Sequence, residues 1–301
     1  MFRGEGNFGQ NMVTVARPFG DAILGKWLRA SSPRAERRIW TAEAMSVGLP
    51  HEFKEKPGML GKLERLLEEG YGVAGLVPHF SYGDFFRVGS ALLLNVEGYS
   101  EKDILTPIAL HQLEDSWYKS LVMNGLQNYT DIRLASIVTE DTLLKEWKRR
   151  VEGKKIRWEN MKGDASTLAY LIRAAQVMEK AGVVLYAPST GRRPVLLPFK
   201  EEPVRALDLA LKRKKVQKKA HMFFGLEVPG VEDYMAKSKF GMHAGEKYIV
   251  TLGLVLTDEE LKARAAANGR TIDEEAYQIM LELAPEAYRP PQAPASPVTI
   301  G

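Results

Sequence analysis

A histidine and an aspartate follow directly on a short apolar run in the segment PHFSYGDFF, as His79 and Asp84. Positions five apart diverge by about 140° around a continuous helix, so contact between these side chains requires a turn, which Ser81 and Gly83 permit. A carboxylate bonded to imidazole Nδ1 holds the tautomer whose Nε2 accepts a proton. The pair predicts a general base, with a purely structural His79 as the alternative that the spacing leaves open.

A second segment, VVLYAPSTGRRPVLLPFK, ends an apolar run in a turn of small residues followed by two arginines. Small residues such as Gly191 let the backbone approach an anion closely. Arg192 and Arg193 can bind phosphate oxygens through charge-assisted, bidentate hydrogen bonds. Ser189 and Thr190, in the same turn, are further candidates for substrate binding. The segment predicts a phosphate site, although its composition is also typical of a solvated loop.

Both segments come just after strand-like runs, where a parallel α/β sheet binds its ligands. The first segment supplies a base for an alcohol, and the second supplies a clamp for a phosphate. Together they indicate a phosphorylated polyol that acts as a nucleophile. Glycerol 3-phosphate and a lyso-phospholipid both fit this description.

Apolar strand-like runs alternate with helical patterns over most of the chain. Helices are predicted over the run that ends at Gly70 and over the segment from Asp164 through Met178. This alternation predicts an α/β fold, with a mixed, mostly parallel sheet flanked by helices on both faces. The predicted strands are residues 71–77, 104–109, 133–138, 182–187, 221–228 and 247–256, and the last two predicted helices are residues 258–267 and 272–283.

The two ends of the chain differ from this pattern. Helical spacing over residues 11–28 and 35–47 predicts a small N-terminal helical extension over residues 1–56, ahead of an α/β domain at 57–289. The helix at 11–28 either packs on the core or lies at a membrane interface. The Pro-rich tail 290–301 is predicted to be disordered.

Composition limits the kinds of site and partner. The chain has no cysteine, which excludes disulfides, thiolate metal sites and a cysteine nucleophile. Scattered charges near the N-terminus disfavour a secretory signal, and no apolar run is long enough to span a membrane. The net charge is +4, and two basic stretches, 143–159 and 211–219, favour acidic partners such as phosphates, anionic lipid or an acidic carrier protein, unless they are only solvated helix faces. Nucleic acid is not expected as a partner, because no nucleic-acid-binding motif is found.

On its two motifs the sequence resembles the glycerolipid acyltransferase superfamily, which is defined by an H-x4-D block and a later FPEGTRS-type block. PHFSYGD matches the first block. LYAPSTGRRP is similar to the APSGGR variant of the soluble plastid-type glycerol-3-phosphate acyltransferases. LPFKEEPVRALDLAL, HMFFGLEVPG and LAPEAYRP then follow in the family's order, so the likeness covers roughly residues 60 to 290.

The resemblance implies an acyltransferase of phospholipid biosynthesis that needs neither a cofactor nor a metal. It implies that His79 and Asp84 deprotonate an acceptor hydroxyl, which attacks the thioester of acyl-CoA or acyl carrier protein. It also implies that Arg192 and Arg193 bind the phosphate of glycerol 3-phosphate or a lyso-phospholipid. We expect a cytoplasmic protein with peripheral contact to the anionic inner face of the membrane.

Two other functions are alternatives. A non-catalytic relative that binds anionic lipid is suggested by Pro78, where the family commonly has Asn, and by Thr139 and Glu140, where the intermediate family block often ends in arginine. A hydrolase would use Ser81 or Ser189 as its nucleophile. Neither serine lies in a G-x-S-x-G elbow, so the hydrolase is the weaker alternative.

Overall fold

A seven-stranded sheet forms the centre of the part of the chain that the computed structural model describes, residues 33–81, 83–109, 133–137, 167–189, 195–199, 202–229 and 248–290. The strand order is β1-β7-β6-β2-β5-β3-β4. The strands are β1 (Glu52–Glu55), β2 (Gly72–Leu76), β3 (Ile104–Ala109), β4 (Arg133–Ile137), β5 (Val183–Tyr186), β6 (Lys219–Glu227) and β7 (Ile249–Thr257).

Strand direction divides the sheet into two parts. Strands β2 to β6 are mutually parallel, whereas β7 is antiparallel to β6 and β1 is parallel to β7. All residues of the central strands β2 and β5 are buried, as expected for strands covered on both faces. The predicted fold class, a mixed and mostly parallel sheet flanked by helices, is therefore confirmed.

Helices connect the strands and pack on the sheet. None of them, within the described ranges, is long and apolar enough to cross a membrane. The helices are α1 (Arg34–Gly48), α2 (Met59–Glu68), α3 (Asp84–Asn95), α4 (Thr167–Glu179), α5 (Pro203–Arg213), α6 (Asp258–Ala267) and α7 (Ile272–Leu283), with short 3-10 helices at Tyr99–Glu101 and Glu286–Tyr288.

Local signals in the sequence determine where the last two helices begin. Thr257 accepts a hydrogen bond from the backbone of Glu260, and the Glu260 carboxylate accepts one from the backbone of Thr257. Thr271 and Glu274 form the same capping box at the start of α7. Each box pairs two backbone N–H groups that a helix start would otherwise leave without partners.

The predicted N-terminal extension is joined closely to the sheet. Residues 52–55, which were assigned to it, form strand β1 along β7. Helix α1 packs against α3 and the 3-10 helix at Tyr99–Glu101. Its buried Arg38 donates hydrogen bonds to the backbone carbonyls of Ser100, at 2.8 Å, and Lys102. The predicted helix at 11–28 and tail residues 291–301 lie outside the described residues, so the domain boundaries stay predictions.

The two ends of the strands form two distinct edges of the sheet. His79, Ser189 and Val228 follow β2, β5 and β6, and we call this side the carboxyl edge. Because β7 runs in the opposite direction, Tyr248, which precedes it, also lies at the carboxyl edge. The opposite side, where β2 and β6 begin, is the amino edge.

Candidate active site

The turn between β2 and α3 brings His79 and Asp84 into contact. Asp84 is the first residue of α3, and its Oδ2 lies 3.2 Å from Nδ1 of His79. A carboxylate in the first turn of a helix also benefits from the positive end of the helix dipole. The predicted pair is therefore assembled at the carboxyl edge, where a parallel sheet presents its functional residues.

The Asp84 carboxylate accepts five hydrogen bonds from the described residues. Oδ2 accepts from the backbone N–H of Phe80, at 2.6 Å, and of Ser81, at 2.7 Å, in addition to His79. Oδ1 accepts from the hydroxyls of Ser81, at 2.5 Å, and Tyr248, at 2.6 Å. These donors occupy both oxygens, so the orientation of the carboxylate is fixed.

The protonation of this pair follows from its surroundings. Burial alone would raise the pKa of Asp84, but the hydrogen bonds from His79, Ser81 and Tyr248 outweigh burial and lower that pKa below its ordinary value. An ionised carboxylate only accepts hydrogen bonds, so Nδ1 of His79 must be the donor. In the neutral imidazole, Nε2 then carries the lone pair and can accept a proton. The His79 side chain is 17% exposed, against 0% for Asp84, so solvent reaches only the imidazole.

Tyr248 and Arg87 complete the surroundings of Asp84, and sequence reasoning missed both. The Tyr248 ring lies 4.0 Å below the guanidinium carbon of the buried Arg87, which is three residues after Asp84 on α3. Tyr248 is 164 residues from Asp84 in the chain, and no local pattern links them. The sequence shows only that Tyr248 begins an apolar run. Its place beside Asp84 follows only once the direction of β7 in the sheet is known.

Ser81 supports Asp84 and is poorly placed as a nucleophile. Its hydroxyl is buried and donates to Asp84, while it accepts a hydrogen bond from the backbone of Gly83 at 3.2 Å. A serine nucleophile has to give its proton to a base such as His79. Because the Ser81 proton is directed at Asp84, this geometry does not favour the hydrolase alternative at Ser81.

The second predicted motif begins beside the first. Strand β5 is adjacent to β2, and the backbone N–H of Val77 donates to the carbonyl of Tyr186 at 2.9 Å. Ser189, three residues after Tyr186, is buried at the carboxyl edge. Thr190, Gly191, Arg192 and Arg193 lie outside the described residues, so their role in phosphate binding stays a prediction.

The chain that follows these residues is also fixed close to the His79 turn. The backbone N–H of Leu196 donates to the carbonyl of Tyr288 at 2.8 Å. The Tyr288 ring packs on the ring of Phe80, with centroids 5.0 Å apart. Ser189 and Leu196, the described residues before and after the two arginines in the sequence, are thus both close to the turn that carries His79.

The second basic stretch lies at the amino edge, away from His79. Lys219, at its end, pairs with Gly72 at the start of β2. His79 comes seven residues after Gly72, so at about 3.3 Å per extended residue it is up to about 23 Å away. The first basic stretch, 143–159, lies outside the described residues.

Lys219 and its neighbour His221 belong to a buried charged cluster. Lys219 Nζ lies 2.5 Å from Asp208 and 3.1 Å from Asp258, and Lys262 contacts both carboxylates as well. Nε2 of His221 lies 3.4 Å from Asp258 Oδ1. This geometry gives His221 a structural role inside the cluster.

In the described ranges, no three His, Cys, Asp or Glu side chains are close enough together to hold a metal ion. The residues that converge at the carboxyl edge are instead a buried carboxylate, an imidazole and neutral hydroxyls. Comparison of the chain with models of known protein families and with curated proteins found no match.

Proposed function

We propose that this protein is an acyltransferase that moves a fatty-acyl group from a thioester to a hydroxyl of glycerol 3-phosphate or a lyso-phospholipid. The observation that carries the proposal is the contact between Nδ1 of His79 and the ionised Asp84 at the carboxyl edge. That contact leaves Nε2 as a base on a partly exposed imidazole. The donor is acyl-CoA or acyl carrier protein, and the protein acts in the cytoplasm with peripheral contact to anionic membrane.

The chemistry requires one proton acceptor and no covalent acyl-enzyme. Nε2 of His79 takes the proton of the acceptor hydroxyl as its oxygen attacks the thioester carbonyl carbon. A C–O bond forms, the C–S bond breaks, and the thiolate takes the proton from the imidazolium. Asp84 stabilises the imidazolium during these steps and holds the ring orientation.

The described residues on either side of the two arginines in the sequence support a phosphate site close to this base. Ser189 is buried after β5, the neighbour of β2, and Leu196 bonds to Tyr288, whose ring packs on Phe80. Six residues separate Ser189 from Leu196 in the sequence, and Arg192 and Arg193 are two of them. Guanidinium groups there can hold an acceptor phosphate while His79 activates the hydroxyl.

The direct test incubates the purified protein with labelled acyl-CoA and a panel of glycerol 3-phosphate, lysophosphatidate, lyso-phospholipids and uncharged alcohols. His79→Ala should lower acyl transfer by about 10²- to 10⁴-fold, because a general base contributes a factor of that size. His221→Gln at the amino edge is the matched control and should keep the wild-type rate. Wild-type protein that binds anionic lipid vesicles but transfers no acyl group from acyl-CoA or acyl carrier protein would instead favour the non-catalytic relative.

The phosphate site has its own test in the same assay. Replacing Arg192 and Arg193 together by Ala should raise KM for the phosphorylated acceptors and leave the uncharged alcohols unaffected. If the double variant used glycerol 3-phosphate as well as the wild type does, the assignment of these arginines would be wrong. The role of His79 would be unaffected by that result.

A further inference from the structure

The Tyr248 hydroxyl is the one donor to Asp84, among the described residues, that comes from outside the turn between β2 and α3. The other donors belong to His79, Phe80 and Ser81, which form one short segment with Asp84. Tyr248 precedes β7 and is 164 residues away in the chain. It therefore ties the carboxylate to a separate strand of the sheet.

We propose that Tyr248 is a positioning residue for the reaction, because it holds Oδ1 of Asp84 so that Oδ2 faces Nδ1 of His79. This inference rests on the proposed function for its kinetic consequences. The hydrogen bond from Tyr248 to Oδ1, at 2.6 Å, is among the shorter ones that Asp84 accepts, whereas the contact with His79 is 3.2 Å. A small rotation of the carboxylate would therefore break the longer contact with the imidazole before it breaks the shorter hydrogen bonds.

Tyr248 remains a donor throughout the pH range in which enzymes work. Burial, and then the negative charge of Asp84, raise the pKa of Tyr248 well above its ordinary value of about 10. Its hydroxyl is therefore always protonated beside the carboxylate. A neutral donor of this kind stabilises the charge of Asp84 without an ion pair that would compete with the imidazolium.

The position of the Tyr248 ring is fixed from the α3 side. The Arg87 guanidinium lies over the ring face at 4.0 Å, a favourable cation–π arrangement. Among the described residues, the charged groups that act on the Tyr248 hydroxyl are Asp84 and Arg87, which lie on the same helix.

The informative substitution is Tyr248→Phe, which removes the hydroxyl and keeps the ring under Arg87. Asp84 Oδ1 then retains only the Ser81 hydroxyl, and the carboxylate can turn away from His79. We expect kcat to fall by about 10- to 100-fold, the usual worth of a hydrogen bond to a charged group, with KM unchanged. The acid limb of the pH–rate profile should move to lower pH, because a carboxylate turned away from His79 stabilises the imidazolium less.

Tyr170→Phe is the matched control for a general loss of stability. The buried Tyr170 hydroxyl donates to the carbonyl of Leu185 at 3.1 Å and has no contact with Asp84. Both variants should lose thermal stability to a similar extent. Only Tyr248→Phe should change kcat and the pH–rate profile.

A second readout does not depend on acyl transfer. In protein labelled with ¹⁵N-histidine, the His79 imidazole should show the Nδ1–H tautomer in the wild type and a mixture of tautomers in Tyr248→Phe, with the resonance assigned by its loss in His79→Gln. Wild-type kcat, pH–rate profile and tautomer in Tyr248→Phe would overturn the inference. A tautomer change in a protein without acyl transfer would uphold the positioning role and reject the proposed function.

Discussion

Replacing Asp84 by Asn tests how the carboxylate acts on His79. Oδ2 accepts only from N–H groups, those of Phe80, Ser81 and His79, and an N–H group cannot accept a hydrogen bond in return. Oδ1 accepts from the hydroxyls of Ser81 and Tyr248, which can turn and accept. In Asp84→Asn the amide oxygen should therefore take the place of Oδ2, and the NH₂ group should face the two hydroxyls.

This orientation keeps the tautomer of His79 and removes only the charge. An imidazolium and a carboxylate about 4 Å apart at an effective dielectric constant of about 20 interact by about 4 kcal/mol. Loss of that interaction corresponds to about 10³-fold in rate, and partial exposure of His79 reduces it towards 10²-fold. We therefore expect kcat to fall by about 10²- to 10³-fold, less than the factor of about 10⁴ that follows when an amide imposes the wrong tautomer.

The assay is the initial rate of transfer from labelled acyl-CoA to glycerol 3-phosphate between about pH 5 and 9, where His titrates in proteins. The acid limb should move to lower pH, because the imidazolium loses its counter-charge. A loss of 10⁴-fold with an Nε2–H tautomer in the ¹⁵N spectrum would refute the orientation argued from the N–H donors. A loss below 10-fold would show that the charge of Asp84 has no part in the reaction.

Two further predictions concern stability. Asp258→Asn should lower the free energy of unfolding by about 3 kcal/mol at pH 7, as measured by urea unfolding. Of the two carboxylates that contact the buried Lys219, the variant keeps only Asp208. Burial opposes the ionisation of Asp258, but hydrogen bonds from His221, Lys262 and Lys219 lower its pKa. The stability that ionised Asp258 contributes is therefore fully present above about pH 4, the ordinary pKa of an Asp side chain. It is lost as the pH falls through the lowered pKa of Asp258. The free energy of unfolding of Asp258→Asn should therefore change less with pH in acid than that of the wild type. Gly225→Ala should lower the free energy of unfolding by about 1–3 kcal/mol, because the new Cβ would lie 2.8 Å from the carbonyl oxygen of Leu283. Gly61→Ala in α2, where nothing lies within 4 Å of the new Cβ, should instead raise the free energy of unfolding by up to about 1 kcal/mol. Equal melting temperatures for the two variants would contradict both predictions.

The elements with local signals could be predicted from the sequence. Helices α6 and α7 have their predicted bounds, 258–267 and 272–283, and β3 coincides with its apolar run. Strands β2, β5, β6 and β7 differ from their predicted ranges by one or two residues at each end. These elements share a pattern that can be read within one short window of the chain.

The features that the sequence did not predict depend on tertiary contacts. Strand β1 has the sequence EFKE and, among the described strands, pairs with β7 alone, so it needs no continuous apolar run. The role of Tyr248 depends on β7 running against β6, and strand direction is not encoded in hydrophobic periodicity. Likewise, the spacing of His79 and Asp84 predicts their contact but not the backbone donors that decide which carboxylate oxygen faces the imidazole.

Arg38 has a consequence for the modularity of the chain. Its guanidinium reaches from α1 to the carbonyl of Ser100, inside the 3-10 helix at Tyr99–Glu101, and to that of Lys102, directly after this helix and just before β3. A shortened chain that began after α1 would leave these oxygens without that donor and would uncover the face of α3 on which α1 packs. Helix α1 therefore supports the turn between β2 and α3 through its packing on α3, and a fragment designed to keep this turn folded should include α1.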